Sequence, residues 1–360
     1  MDQTIKNILK KLEDNGFEAY IVGGYVRDYL LHKKTNDVDI ITNALLKDIT
    51  KLFPNGKCDG VQYGSYKIKV KNYTIDITTY REENKYFNRR PTEINYVNNL
   101  LTDLNRRDFT INTLCMNRKG IVVDLLDGKK DIQNKIIKVV GNIKTKFTED
   151  PLRMLRALRF AIVLDFKIED DALSFIINNK NLIKTLSYQR KKNELNLILI
   201  SNNYAKGLSL LKSIGVLETL EINYANMVKT DDLLGMWAQL EYPSKYPFTK
   251  EERKSIGIIQ SILEYGKIDS NMLFKYNLYH NYIAGDILGF NKVIVNKMYK
   301  LMPIHEYSDI DIKGNEILEN TSIDKSQIKI VMESIKDAIL NKKLKNKKKE
   351  IIKYINESKW

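Results

Sequence analysis

Phe17-Glu18-Ala19-Tyr20-Ile21-Val22-Gly23-Gly24-Tyr25-Val26-Arg27-Asp28, followed closely by Asn36-Asp37-Val38-Asp39-Ile40-Ile41, is the stretch on which the reading of this chain turns. Residues 17–22 read as a strand that runs into a glycine pair, and residues 26–31 read as a helix. Residues 37–41 read as a second strand. Side chains alternate sides along a strand, so Asp37 and Asp39 project to one face. Two carboxylates that close repel each other unless a cation sits between them. Magnesium is the natural choice, because it takes hard oxygen ligands and keeps room for substrate phosphates. The bare N–H groups of Gly23 and Gly24, at the entry to a helix, suit an anion.

Each signal has a plainer reading beside it. Asp-x-Asp alone is weak: Asp309-Ile310-Asp311 has the same spacing and carries no catalytic weight. What distinguishes Asp37 and Asp39 is the glycine turn and helix ahead of them. Asp76, in the alternating run Tyr73-Thr74-Ile75-Asp76-Ile77-Thr78, is the candidate third carboxylate for a two-metal site, and equally a solvated strand residue. Glycine pairs often make only tight turns. Here Arg27, one helical turn on, is placed to reach a phosphate at the helix start, and Asp28 to orient it.

Two further clusters point to a nucleotide. Residues 103–112 pack Asp103, Arg106, Arg107 and Asp108 together. They read either as a salt-bridged, capped helix start or as ribose and triphosphate recognition, with Arg107 on phosphate and Asp108 accepting from a sugar hydroxyl. In Glu149-Asp150-Pro151-Leu152-Arg153, Asp150 before Pro151 is a good helix start. Arg153, Arg156 and Arg159 then form one stripe and Leu152, Leu155 and Leu158 its apolar neighbour. Arginine near a helix N-terminus opposes the helix dipole, which argues for a use beyond stability. A carboxylate beside a guanidinium matches the amine and ring nitrogen that cytosine and adenine both present. Uracil and guanine present the reverse, at a cost of about 1–3 kcal/mol per unsatisfied group.

The rest of the chain sets bounds. It has 360 residues, enough for two to four domains. Lys+Arg 59 against Asp+Glu 45 gives +14, which favours a polyanionic partner, nucleic acid before an anionic membrane surface. No apolar run approaches a membrane span, and the N-terminus has no signal-peptide core, so a cytoplasmic soluble protein is expected. Cys58 and Cys115 have neither metal-ligand spacing nor a disulfide framework, and three scattered histidines do not suggest zinc. Residues 66–70 and 73–80 read as paired strands, and 122–125 and 136–140 as short ones. Residues 81–95 are polar and read as a mobile loop. Beyond Pro151 the pattern is helical, with helices expected to join the domains directly, so the β-bearing part should end near residue 140. The lysine cluster at 342–349 reads as a solvated helix or tail, or as a contact for RNA phosphates.

Taken in order, Gly23-Gly24-x-Val26-Arg27-Asp28, Asp37-x-Asp39, Arg106-Arg107-Asp108-Phe109-Thr110-x-Asn112 and Glu149-Asp150-x-x-Arg153 resemble the motifs of the class II tRNA nucleotidyltransferases. These are the CCA-adding enzymes, within the polymerase-β-like nucleotidyltransferase superfamily. Asp124-Leu125-Leu126-Asp127-Gly128 is similar to the family's head-to-neck segment, and residues 311–315 with the lysine-rich end look like its tail. The resemblance implies an α+β fold: a nucleotidyltransferase head with a mixed β-sheet over 1–140, then an all-α neck (141–215), body (216–290) and tail (291–360). It implies template-independent addition of C, C and A to tRNA from CTP and ATP. It carries magnesium onto Asp37 and Asp39, and nucleotide binding onto Gly23, Gly24, Arg27, Arg107, Asp108, Asp150, Arg153, Arg156 and Arg159. Residues 81–91 look like the family's flexible loop, needed for the terminal adenosine. The chain departs from the pattern at His32, where the family has glycine, at Tyr63, where histidine is common, and at Gln189, where a glutamate precedes arginine. The alternatives are a bacterial poly(A) polymerase, an A-adding variant, and a non-catalytic RNA-binding protein on the same fold.

Overall fold

The computed structural model describes residues 1–58, 63–87, 90–358 and 360, with the side chains of 85–91 excepted. The chain divides into two compact units, Met1–Ile222 and Asn223–Trp360.

The first unit is built on a seven-stranded mixed sheet. Its strands are β1 (Ala19–Val22), β2 (Asp37–Thr42), β3 (Lys57–Cys58), β4 (Ser65–Val70), β5 (Tyr73–Thr79), β8 (Cys115–Met116) and β9 (Val122–Val123), in the spatial order β3-β4-β5-β2-β1-β8-β9. β5 runs parallel to β2, and every other neighbouring pair is antiparallel. Helix α1 (Gln3–Glu13) buries Ile5, Ile8, Leu9 and Leu12, the spacing read from sequence, and Gly16 turns the chain after it at φ +85°. Helix α2 (Gly24–Leu30) packs on β1 and β2, and α3 (Leu46–Leu52) on β4 and β5.

Register puts Val22 opposite Asp39 and Tyr20 opposite Ile41. One face of β2 therefore carries Asp37, Asp39 and Ile41 in sequence. Ile41 closes into a core with Val22, Tyr80, Leu104 and Cys115, whereas the two aspartates are exposed. A single strand face passes from acid to apolar within four residues, and this fixes where the sheet core stops and the cleft starts.

Residues 81–95 are not a loop. β6 (Arg81–Phe87) pairs antiparallel with β7 (Arg90–Tyr96) as a separate two-stranded ribbon; Asn88 and Arg89 lie outside the described residues. The ribbon is separate from the main sheet, and the enclosed side chains at its base, Arg81 and Glu83, are charged, so no apolar alternation marks it in the sequence. An ion cluster ties its base: Glu83 takes Arg81 Nε at 2.8 Å and Arg106 Nη1 at 3.1 Å. Arg106 and Arg107 also pair with buried Asp103. Residues 103–107 thus end helix α4 (Leu100–Asn105) rather than start a helix, and a 3₁₀ turn follows at Thr110–Asn112.

Helices α5 (Gly128–Gln133), α6 (Ile143–Glu149), α7 (Leu152–Leu164), α8 (Asp170–Asn178), α9 (Tyr188–Leu199), α10 (Tyr204–Ser213) and α11 (Val216–Leu220) complete this unit. A two-stranded parallel pair, β10 (Ile136–Ile137) with β11 (Lys167–Ile168), ties the segment ahead of α6 to the end of α7. Gly128 is needed as glycine, since a Cβ there would meet the Thr110 carbonyl oxygen at 2.3 Å. The chain leaves α11 through Glu221 at φ +57°, and residues 221–232 are not helical. The expectation of a direct helical junction therefore fails at this left-handed residue.

The second unit is helical among its described residues, around a buried Trp237 packed by Tyr242, Tyr246 and Phe248. Its lysine run spans a turn and the start of a helix rather than one helix. Lys348 pairs with Glu316 at 2.5 Å, and the Asp311 carboxylate accepts from the Lys348 N–H at 3.0 Å.

Candidate functional site

Gly23 adopts φ +76° and ψ −130°, a conformation that glycine alone takes readily. A Cβ there would meet only ordinary contacts, 3.6 Å from Arg107 Nη1 and 3.9 Å from Asp39 Oδ2, so the backbone conformation rather than crowding calls for glycine. The turn therefore brings a glycine backbone, a guanidinium and a carboxylate to one place. Arg107 is held by Asp103 through Nη2, its Nη1 lies beside Gly23, and among the described residues its enclosed Nε has no hydrogen-bond partner.

Asp39 stands directly opposite Asp76 in the parallel β2–β5 ladder, and Asp76 opposite Lys67 in turn. Lys67 Nζ lies 3.6 Å from Asp76 Oδ2, so Asp76 has a cation of its own. Asp39 is accessible to solvent yet set low among protein atoms. That reduced solvation, with the Asp37 charge second, pushes its carboxyl up to about 6, against the pull of Arg107. Among the described residues, no three His, Cys, Asp or Glu side chains gather to cage a metal ion. Asp37 and Asp39 remain as a two-carboxylate, one-sided set. This suits a divalent ion that keeps its other positions for water and phosphate oxygens.

The second cluster lies around Asp108. Its side chain is 11% exposed, and four donors meet it: Arg156 Nε at 2.7 Å and Arg156 Nη2 at 2.6 Å on one oxygen, the Phe109 N–H at 2.8 Å and Asn112 Nδ2 at 3.1 Å on the other. Burial alone would raise its pKa, but Arg156 and these hydrogen bonds outweigh it and hold the carboxyl at about 2. A ribose hydroxyl reaching Asp108 must share with or displace one of these donors. Asn112 continues the network, its Oδ1 accepting from Arg27 Nη1 at 2.8 Å. Arg27 is gripped by Asp28 through Nε and Nη2 at 2.9 and 2.7 Å.

Helix α7 starts as its sequence asks. Asp150 is extended, its carboxylate accepts from the Leu152 N–H at 3.2 Å, and its carbonyl accepts from the Arg153 N–H. The Asp150 carboxylate faces Arg190 Nη1 at 3.5 Å, while Arg153 reaches back to the Lys146 carbonyl at 3.0 Å and Glu149 at 3.3 Å. Arg156 goes to Asp108 and Arg159 to Glu194 at 2.5 Å. The structure thus joins Gly23, Arg107 and Asp39 in one group and Arg27, Asp108 and Arg156 in another. Asp150 and Arg153 stand side by side in the chain with different partners. Asn112, Phe160, Arg190 and Glu194 belong to these clusters and went unread as site residues. Asn112, which closes the motif that starts at Arg106, and the charged pair Arg190 and Glu194 offered a signal; Phe160 offered none.

Comparison with known proteins bears on the family and the fold. The family model described as "Poly A polymerase head domain" matches residues 19–138, and "Probable RNA and SrmB- binding site of polymerase A" matches 165–225. The CCA-adding enzyme of Lactococcus lactis subsp. lactis is 30% identical over 377 residues, covering 96% of this chain and 95% of the relative. Among solved structures, the Bacillus stearothermophilus CCA-adding enzyme in complex with CTP superposes with a TM-score of 0.82 at 24% identity, covering 98% of this chain and 96% of that one. The Thermotoga maritima CCA-adding enzyme complexed with tRNA gives 0.69 at 20% identity, covering 99% and 95%. At these identities the two structures speak to the fold.

Proposed function

The chain belongs to the CCA-adding enzymes, a family of tRNA nucleotidyltransferases, and from that premise we propose how its residues divide the work. It adds C, C and A to the 3′ end of tRNA, drawing on CTP and ATP and releasing pyrophosphate. The tRNA 3′-hydroxyl oxygen forms a bond to the α-phosphorus and gives up its proton to solvent water, and the α–β bridging bond breaks with its electron pair leaving on pyrophosphate.

Asp37 and Asp39 are the residues that hold a divalent cation, which we take to be magnesium. When bound, that ion offsets charge on the reacting phosphate and the attacking oxygen. Asp76, already beside Lys67, supports the pair from the neighbouring strand. Gly23 and Gly24 let the triphosphate approach the backbone, and Arg107 supplies charge next to that turn. Arg27, Asp108, Arg156 and Asn112 form the rigid wall on the sugar side. Asp150 accepts from the amine of cytosine or adenine and Arg153 donates to the ring nitrogen, with Arg190 fixing the carboxylate and Arg159 fixing α7 against Glu194. Positioning and charge stabilisation then account for most of the rate.

We assign the head to 1–140, the neck to 141–215, the body to 216–290 and the tail to 291–360, with a cytoplasmic location that matches its tRNA substrate. Among the described residues, no helix is long and apolar enough to cross a membrane. The observation that carries the reading is the exposed Asp37–Asp39 pair beside the Gly23 turn. Incubation with tRNA lacking CCA and with CTP and ATP, singly and together, tests it. The reading expects two cytidines from CTP alone and a completed end from both. Long adenosine tails, as from a poly(A) polymerase, or no CTP incorporation, would overturn it. Asp150→Ala should accept UTP some ten- to a hundredfold more readily, and unchanged discrimination would remove Asp150 from base choice.

A further inference from the structure

Phe160 lies on α7 one residue past the arginine stripe and is 5% exposed. Three guanidiniums surround its ring. Arg159 stacks at 3.7 Å from the centroid, Arg27 lies at 5.1 Å and Arg156 at 5.4 Å. Phe109 fixes the ring from its own edge, at 5.7 Å and 79°. Arg27 comes from α2, beside the glycine turn, whereas Arg156 and Arg159 come from α7. One aromatic ring is therefore the common neighbour of cations contributed by both parts of the proposed nucleotide site.

The three cations differ in access. The side chains of Arg27 and Arg159 are 11% exposed and tied to Asp28 and Glu194; that of Arg156 is 34% exposed. Arg156 is the one of the three open to a nucleotide. Behind it, three like charges would spread apart but for their carboxylate partners and an electron-rich ring face among them. An aliphatic side chain of similar volume fills that space without attracting a cation.

We propose that Phe160 is a positioning residue for the incoming nucleotide: its ring sets the place of Arg156, and through Arg156 that of Asp108, by holding three guanidiniums around one aromatic surface. This rests on the reading of the site given above. The ring does not touch substrate; it acts through Arg156.

The test replaces Phe160 with phenylalanine analogues carrying one, two and three ring fluorines, which weaken the face charge with little change of shape, together with Phe160→Leu and Phe160→Tyr. For each protein, KM and kcat for CTP are measured on tRNA lacking CCA, with KM for tRNA and thermal midpoint alongside. The proposal expects KM for CTP to climb stepwise with fluorination, by about tenfold at three fluorines, with KM for tRNA and the thermal midpoint unmoved. It expects Phe160→Leu to fall beyond the end of that series and Phe160→Tyr to lie near the wild type. A flat KM across the fluorinated series overturns the proposal even if Phe160→Leu is inactive, because loss on truncation alone means packing. If the wild type incorporates no cytidine, the underlying reading has failed instead, and the two failures are told apart at the first measurement.

Discussion

The aspartates of β2 and Asp108 lie in the same compact unit and meet opposite electrostatic fates. Asp108 is almost enclosed, yet Arg156, Asn112 and a backbone N–H surround it and hold its carboxyl at about 2. Asp39 lies on the exposed end of its strand, yet its carboxyl is poorly solvated among protein atoms, and with the Asp37 and Asp76 charges adding to that it rises to about 6. One cluster carries its own counter-charge and is complete as folded. The other has Arg107 and Lys67 near it, but they do not offset the poor solvation and the Asp37 charge at Asp39. On the function proposed above, the self-sufficient cluster would serve to position and the unbalanced one to recruit a cation.

The difference can be broken most severely at the β2 pair. Asp39→Ala should lower nucleotide incorporation at least a thousandfold while tRNA binding by filter retention stays within twofold, and the thermal midpoint should not fall, since the change relieves repulsion. A variant that still incorporates at the wild-type rate would show that the exposed pair is decoration.

Asp108→Asn should behave in the opposite sense. It takes the carboxylate partner from Arg156, which is one-third exposed and so partly compensated by water, costs about 1–2 kcal/mol in denaturant unfolding, and lowers incorporation as well. Loss of activity with unchanged stability would mean that the network is less self-contained than its hydrogen bonds imply.

The two clusters also predict opposite pH behaviour. A carboxyl held below its ordinary 3.8 stabilises the fold above that value, and the Asp108 contribution should disappear as pH falls from about 4 to about 2. A carboxyl held above 3.8 does the reverse, so Asp39 should cost stability as pH rises from about 4 through 6. Thermal midpoints measured from pH 4 to 7 should show magnesium raising stability most above pH 6, and Asp39→Asn should abolish the difference.

The smallest effect calibrates the helix that carries Arg27. His32 follows α2 at φ +55°, with the Lys33 N–H donating to the Asp28 carbonyl at 2.8 Å and the His32 N–H to the Tyr29 carbonyl at 3.2 Å. This is the left-handed helix stop at which the family resemblance calls for glycine. His32→Gly should add about 1 kcal/mol to unfolding stability, with incorporation unchanged.

The sequence made the sheet-bearing half legible because its signals are local. Apolar spacing located α1, and alternation placed Asp37 and Asp39 on one side and matched the strands at 65–70 and 73–79. Partners across long separations left no such trace. Asp108 meets Arg156, Arg159 meets Glu194 and Arg27 meets Asn112 only after the chain folds, so the sequence left Asp108 between a local salt bridge and a sugar acceptor and named none of its actual partners. The β6–β7 ribbon was misread for a related reason: the side chains enclosed at its base, Arg81 and Glu83, are charged and ion-paired, so they leave no apolar alternation. Phe160 was hidden by its setting, since a phenylalanine on an apolar helix looks like any core residue until three arginines are found around it.

The central claim is that the β2 pair is built short of positive charge so that a divalent ion completes it. Carbon-13 NMR titration of the Asp39 carboxyl, with and without magnesium, tests this most directly. The account predicts a midpoint at about 6 in the metal-free protein, falling below about 4 when magnesium is present. A midpoint already near 4 without metal, or one that magnesium leaves in place, would contradict it.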